Sequence, residues 1–231
     1  MANFGFRNLA VVAPYAPHWR EARSAVGAPE LLRNAKESAT LAEAVAACTL
    51  VVGTGTLAHR KPEQMVRPLP ILAPHVKQEL DRGGRIALVF GPEKRGLTRE
   101  DLSWCNLLVE IPTDPLQPSM NLGQAVAVCL YELASRSFPA QAGAPAAAGQ
   151  NDNCMKEQKP AAPSMSLDRL AGVIEETMLA AGYSPSSVHK ANCHDLRLLL
   201  RRLAPTERDT RRILGLFRRI LWRMKPHPKE D

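Results

Sequence analysis

Four short segments, 8–13, 49–53, 85–90 and 107–111, are dominated by aliphatic residues, and each ends in or runs into glycine or proline. A strand with one wet face alternates apolar and polar residues. A run that is apolar at both parities must instead be covered on both faces, as in a parallel sheet layered between helices. Helical patterns separate these runs. Thr40 with Glu43 forms a capping box ahead of 41–47. A second helix over 71–82 is closed by Gly83 and Gly84, and Thr98 with Asp101 opens a short third. The fourth, 121–136, carries Leu122, Val126, Cys129, Leu130 and Leu133 on one stripe. Alternation of this kind predicts an α/β domain with a mostly parallel sheet over residues 1–137.

The pattern then stops. Residues 138–165 are rich in Ala, Pro, Gly and polar residues and have no periodicity, the composition of a flexible linker. From 166 to 226 apolar residues recur at spacings of three and four. Leu167, Leu170, Ile174 and Met178 line a first helix, and Leu196, Leu199, Leu200 and Leu203 a second. Ile213, Leu216, Phe217, Ile220, Leu221 and Met224 line a third, which Thr206 and Asp209 can cap. A small all-α helical domain over 166–231 is expected.

Charge narrows the partners. The chain carries 30 Lys and Arg against 23 Asp and Glu, a net +7, and the surplus suits a polyanion. Arginines crowd the polar faces of the last two helices, and their forked guanidinium suits phosphate. No apolar run reaches the roughly 20 residues that cross a bilayer, and residues 1–10 lack a secretion-signal pattern, so a cytoplasmic protein is expected. The five cysteines are odd in number and scattered, as in a reducing compartment. Neither they nor the six histidines have metal-site spacing.

Three segments carry candidate chemistry, each at the carboxyl end of an expected strand, where open α/β sheets bind ligands. The first is Val51-Val52-Gly53-Thr54-Gly55-Thr56; it lacks the third glycine and the following acid of a dinucleotide fingerprint, which rejects a nicotinamide cofactor. The second, residues 88–97, is a strand entering the glycine-bounded loop Gly91-Pro92-Glu93-Lys94-Arg95-Gly96. The third is Ile111-Pro112-Thr113 followed by Ser119-Met120-Asn121-Leu122-Gly123-Gln124, where Ser and Asn can cap the long helix. Taken singly, each is more often structural than catalytic.

In order, GTGT, FGPEKRGL and IP…SMNLGQAV resemble the SpoU family of the SPOUT superfamily, whose members methylate RNA ribose 2′-hydroxyls. The likeness runs through residues 1–137, and the linker with its Leu/Arg helices is similar to the branch of that family that methylates cytidine or uridine in the tRNA anticodon loop. The resemblance implies a carboxyl-terminal trefoil knot in the sheet domain, a homodimer formed through it, S-adenosyl-L-methionine as methyl donor and tRNA, not DNA, as partner. Cofactor contacts would come from Thr54, Gly55, Thr56, Gly91, Ile111, Ser119, Met120 and Asn121. Glu93 matches the family's motif-two acid, and Ser119 and Asn121 its motif-three pair, so these three carry the catalytic expectation. Arg95, Arg211, Arg212 and Arg219 would contact RNA.

One departure stands out. The family opens with a strand and an Asn…Gly…Arg helix motif, whereas residues 1–6 (MANFGF) align with the end of that helix. No arginine here matches the motif-one arginine, and its role is transferred to none. The expectation is that strand and motif precede Met1 in a longer product. The alternative is a shortened chain kept as a catalytically impaired RNA-binding or dimer-interaction protein.

Overall fold

A computed structural model describes residues 1–15, 18–21, 27–56, 62–137, 159–185 and 187–224. The sheet is parallel throughout. Strands β3 (Leu50–Thr54), β4 (Val66–Pro68), β5 (Ile86–Val89) and β6 (Leu107–Glu110) stand in the order β4-β6-β3-β5. Strands β1 (Ala10–Val12) and β2 (Lys36–Ser38) form a separate parallel pair. The four aliphatic runs are β1, β3, β5 and β6. Strands β2 and β4 were not expected: each has three residues, polar or at an edge, too few to show a period. β4 ends on Pro68 at the edge of the sheet, where a missing N–H costs no ladder bond.

Burial on both faces explains the aliphatic runs of β3 and β6, whereas β5 is half-buried and β1, in its separate pair, leaves Ala10 exposed. Leu50 and Val52 of β3 and Leu107 and Val109 of β6 meet one core with α3 (Leu69–Asp81) and α5 (Leu122–Ser137). Val51 and Leu108 point the other way, into a second core with α2 (Leu41–Val45) and α4 (Arg99–Ser103). Gly53 has to be glycine, since a Cβ there would lie 2.7 Å from Cys105 Sγ and 2.8 Å from Leu108 Cδ2. Burial pushes the Cys105 thiol up to about 12 and the Cys129 thiol to about 11, so both act as small hydrophobes.

The local signals hold with adjustments. Thr40 caps α2 by accepting from Glu43 N at 3.2 Å, and Thr98 and Asp101 form a reciprocal box on α4. α3 starts two residues before the expected 71. On α5, Cys129, Leu130 and Leu133 are buried, but Leu122 is exposed, as are Val128 and Tyr131. A five-residue helix α1 (Pro29–Arg33) was also unforeseen.

Most of the 138–165 segment lies outside the described residues. Its end does not match a linker. Ala162 is buried and donates its N–H to Pro205 O, while Ser164 N and Met165 N donate to Cys48 O and Ala46 O. Helix α6 (Ser164–Ala180) therefore starts while held against α2, and α7 (His189–Leu203) and α8 (Glu207–Met224) pack on it. Leu170, Ala171, Ile174 and Leu200 form their shared core. Leu199, Leu203, Leu216, Ile220 and Met224, expected inside, are exposed. Three helices have fewer inward positions than the leucine spacing suggests.

Two arginines fasten α7 to the sheet domain. Arg197 lies over the Trp104 ring at 4.3 Å and donates to Ser103 Oγ at 2.9 Å. Arg201, only 3% exposed, donates to Trp104 O at 3.1 Å, Ser164 Oγ at 3.0 Å and Asp168 Oδ1 at 2.9 Å. Burial pulls its pKa down and Asp168 opposes that shift. Replacing Arg201 with alanine leaves Asp168 unpaired and removes the donor from Trp104 O and Ser164 Oγ. We predict a loss of about 3 kcal/mol of unfolding free energy, read by urea titration; a change under 1 kcal/mol would show that this contact is not what joins the two parts.

Candidate active site

The carboxyl ends of β3, β5 and β6 converge. After β3, Gly55 and Thr56 leave the sheet; Gly55 N donates to Val109 O at 3.3 Å and Thr56 Oγ1 to Pro118 O at 3.0 Å. Thr54 is buried, with its hydroxyl on Val89 O at 2.9 Å, which ties β3 to β5. After β5 the chain turns over 91–97, with Gly96 N donating to Pro92 O at 2.7 Å. A Cβ on Gly91 would sit 2.2 Å from the Gly96 carbonyl carbon, and Gly96 adopts φ +63°, so both glycines are needed to close this loop. Glu93, Lys94 and Arg95 stand exposed at its tip.

The segment after β6 reaches both neighbours. Thr113 Oγ1 donates to the same Pro118 carbonyl at 3.3 Å, so two hydroxyls from different strand ends fix the backbone just before Ser119. Asn121 then does two jobs. Its Oδ1 accepts from Gly123 N at 2.9 Å and Gln124 N at 3.4 Å, capping α5. That fixes which way the amide faces, and Nδ2 donates to Glu93 Oε1 at 2.8 Å. Ser119 is exposed beside this pair, while Ile111 and Met120 are half-buried.

Glu93 and Asn121, 28 residues apart in sequence, are thus in contact, and Thr56 and Ser119 are joined through Pro118. The Thr113–Pro118 contact was missed by sequence reasoning, because a threonine after Ile-Pro carries no signal until its partner carbonyl is placed. The four arginines do not converge. Arg95 borders a cleft of about 400 Å³ with Thr98, His194 and Leu198, between the 91–97 loop and α7. Arg211 pairs with Glu207 at 3.2 Å, and Arg219 lies over Trp222 at 4.4 Å. Arg212 lines a larger cleft at the amino ends of the strands.

The model of the SpoU rRNA Methylase family matches residues 1–131. The chain belongs to the SpoU methylase family. It is 31% identical over 222 residues to the tRNA (cytidine/uridine-2′-O-)-methyltransferase TrmJ of Escherichia coli strain K12, covering 95% of this chain and 86% of that relative. It is 38% identical over 142 residues to the tRNA (cytidine/uridine/adenosine-2′-O-)-methyltransferase TrmJ of Pseudomonas aeruginosa, covering 61% of this chain and 55% of that one. The crystal structure of TrmJ from Z. mobilis ZM4 superposes with a TM-score of 0.78 at 27% identity, covering 95% and 89% of the two chains. No described helix is long and apolar enough to cross a membrane.

Asn121 allows its two jobs to be separated. Asn121→Asp keeps an N-cap but sets a carboxylate against Glu93, whereas Asn121→Ala loses both. The alanine variant should cost about 1 kcal/mol of stability and the aspartate variant much less. Both should speed amide exchange over 93–96. Slow exchange there in the aspartate variant would mean that the bond to Glu93 does not hold the loop.

Proposed function

We propose that this SpoU-family protein transfers a methyl group from S-adenosyl-L-methionine to a ribose 2′-hydroxyl of tRNA, in the anticodon loop. The observation that carries the reading is the 2.8 Å bond from Asn121 Nδ2 to Glu93 Oε1 beside Ser119, which unites the motif-two acid and the motif-three pair at one sheet edge. The relatives' substrates and the surplus of arginine support tRNA as partner, and the cytoplasm, where tRNA is modified, is the proposed location.

The residues fit such a donor. Gly55 puts no side chain at the mouth of the site, Ile111 and Met120 offer half-buried apolar surface, and Thr54, Thr56, Gly91, Ser119, Met120 and Asn121 bring backbone groups to the same sheet edge. When bound, the donor supplies an electrophilic methyl group on a sulfonium. The chain's own part is placement, since displacement requires oxygen, carbon and sulfur in line. Glu93 holds one oxygen on Asn121, and among the described residues no group bonds the other, which is left to accept from the ribose hydroxyl. Ser119, on the segment fixed by Thr56 and Thr113, orients the same ribose.

In this reading residues 1–137 form the methyltransferase domain, threaded over β6–α5 as the family's trefoil knot, 138–165 connects it, and 166–231 grips RNA through Arg211, Arg212 and Arg219, with Arg95 nearer the site. A second copy covers the exposed face of α5, where Val128 and Tyr131 stand out and Phe4 packs edge-on against Tyr131 at 6.0 Å. Tyr131→Glu should shift sedimentation from dimer to monomer; a dimer that survives it uses another face.

The direct test is methyl incorporation from labelled S-adenosyl-L-methionine into total tRNA, by this chain and by a version extended upstream of Met1. Incorporation should disappear when the target nucleotide is 2′-deoxy and fall at least 100-fold in Glu93→Ala, in the range of a positioned polar catalytic group. Intact cofactor and RNA binding with no transfer by either version would favour a binding protein instead.

A further inference from the structure

A broad cleft lies away from the proposed methyl-transfer site. About 1700 Å³ in volume, it lies between the β4–α3 edge of the sheet domain and helices α7 and α8. Thr49, Leu50, Asn106 and Leu107 at its floor mark the amino ends of β3 and β6. The five residues of β3, at about 3.3 Å each, separate floor and site by roughly 16 Å of sheet. A cavity of this size exceeds the roughly 300–1,000 Å³ that encloses a small ligand.

Five of its cations come from several elements: Arg67 from β4, Lys159 from the strap before α6, Arg202 from α7, and Arg208 and Arg212 from α8, with Arg82 and the buried Arg201 also in the lining. All five are exposed, and none has a carboxylate partner among the described residues. Several other arginines are paired, among them Arg20 with Glu37, Arg33 with Glu30, Arg99 with Glu63, Arg197 with Glu100 and Arg211 with Glu207, whereas Arg169, Arg218 and Arg223 have no carboxylate partner among the described residues. The acids of the cleft are mostly engaged. Glu63 pairs with Arg99, Asp209 accepts from Thr206 Oγ1 at 2.7 Å, and Glu79 is buried, while Asp195 stands exposed.

We propose that this cleft is a composite groove for the phosphate backbone of structured RNA, built jointly by the sheet domain and the C-terminal helices. It grips tRNA at a place remote from the methylated nucleotide. Four guanidinium groups and one ammonium without carboxylate partners line one concave wall, and a chain of phosphates can answer all five at once. Arg197, Arg201 and Trp104 dock α7 beside it and so set the groove's width. The proposal rests on reading the chain as an enzyme acting on tRNA, and assigns Arg67, Lys159, Arg202 and Arg208 a role alongside Arg212.

The test compares wild type with Arg202→Ala/Arg208→Ala and, separately, Arg67→Ala, using whole tRNA and an isolated anticodon stem-loop. By filter binding across a salt series, the double variant should lower the slope of log K against log salt for whole tRNA by about two, and Arg67→Ala by about one. In methylation assays KM for whole tRNA should rise at least tenfold with kcat unchanged, while the stem-loop is methylated as by wild type. Far-ultraviolet circular dichroism and cofactor affinity should not move. An unchanged slope for whole tRNA overturns the groove, as does an equal loss on the stem-loop. Absence of methyl transfer by wild type would sink the catalytic reading alone, since the binding slopes judge the groove without it.

Discussion

Strand β3 is the part of the molecule on which the rest depends. Val51 and Val52 have no exposed surface, and they face opposite cores, so the strand ties both helical layers to one backbone. Its neighbours β5 and β6 are aligned by that strand, with Gly53 opposite both Val89 and Leu108. The lack of a side chain at Gly53 lets Cys105, Leu108 and Leu97 close over it. A parallel register places all three carboxyl ends at the same level, and the loops leaving them meet without any further device.

That meeting is made of neutral polar bonds around one acid. Two threonine hydroxyls hold the Pro118 carbonyl, and one asparagine both caps a helix and orients a carboxylate. Hydroxyls and amides hold geometry without adding charge near a cationic methyl donor. The opposite end of the sheet carries exposed arginines instead, Arg67, Arg202, Arg208 and Arg212. In the proposed reading a single sheet separates chemistry from grip.

The helices could carry their arginines only if α7 were fixed relative to the sheet. Trp104, at the end of α4, provides the surface: one guanidinium over its ring and another on its carbonyl. The buried arginine is tolerable because Asp168 and Ser164 complete its bonding. Here a charge that would ordinarily be counted with the solvated arginines of α7 serves packing instead, while Arg202 and Arg208 stand exposed.

Much of this was written in the sequence. Aliphatic runs at both parities required strands covered on two sides, Thr98 and Asp101 marked a helix start, and the order of the GTGT, FGPEKRGL and SMNLGQAV segments pointed to the family. These are signals within one stretch of chain, where backbone period and capping chemistry act locally. What the tertiary structure alone decided lies between stretches. It selected which leucines of α7 and α8 face inward, which arginine is buried and which are free, and that Thr56 and Thr113 share a carbonyl 62 and 5 residues away. It also paired β2 and β4, whose three residues have no period of their own. Burial and charge pairing depend on which neighbour arrives, and no spacing along a single chain records that.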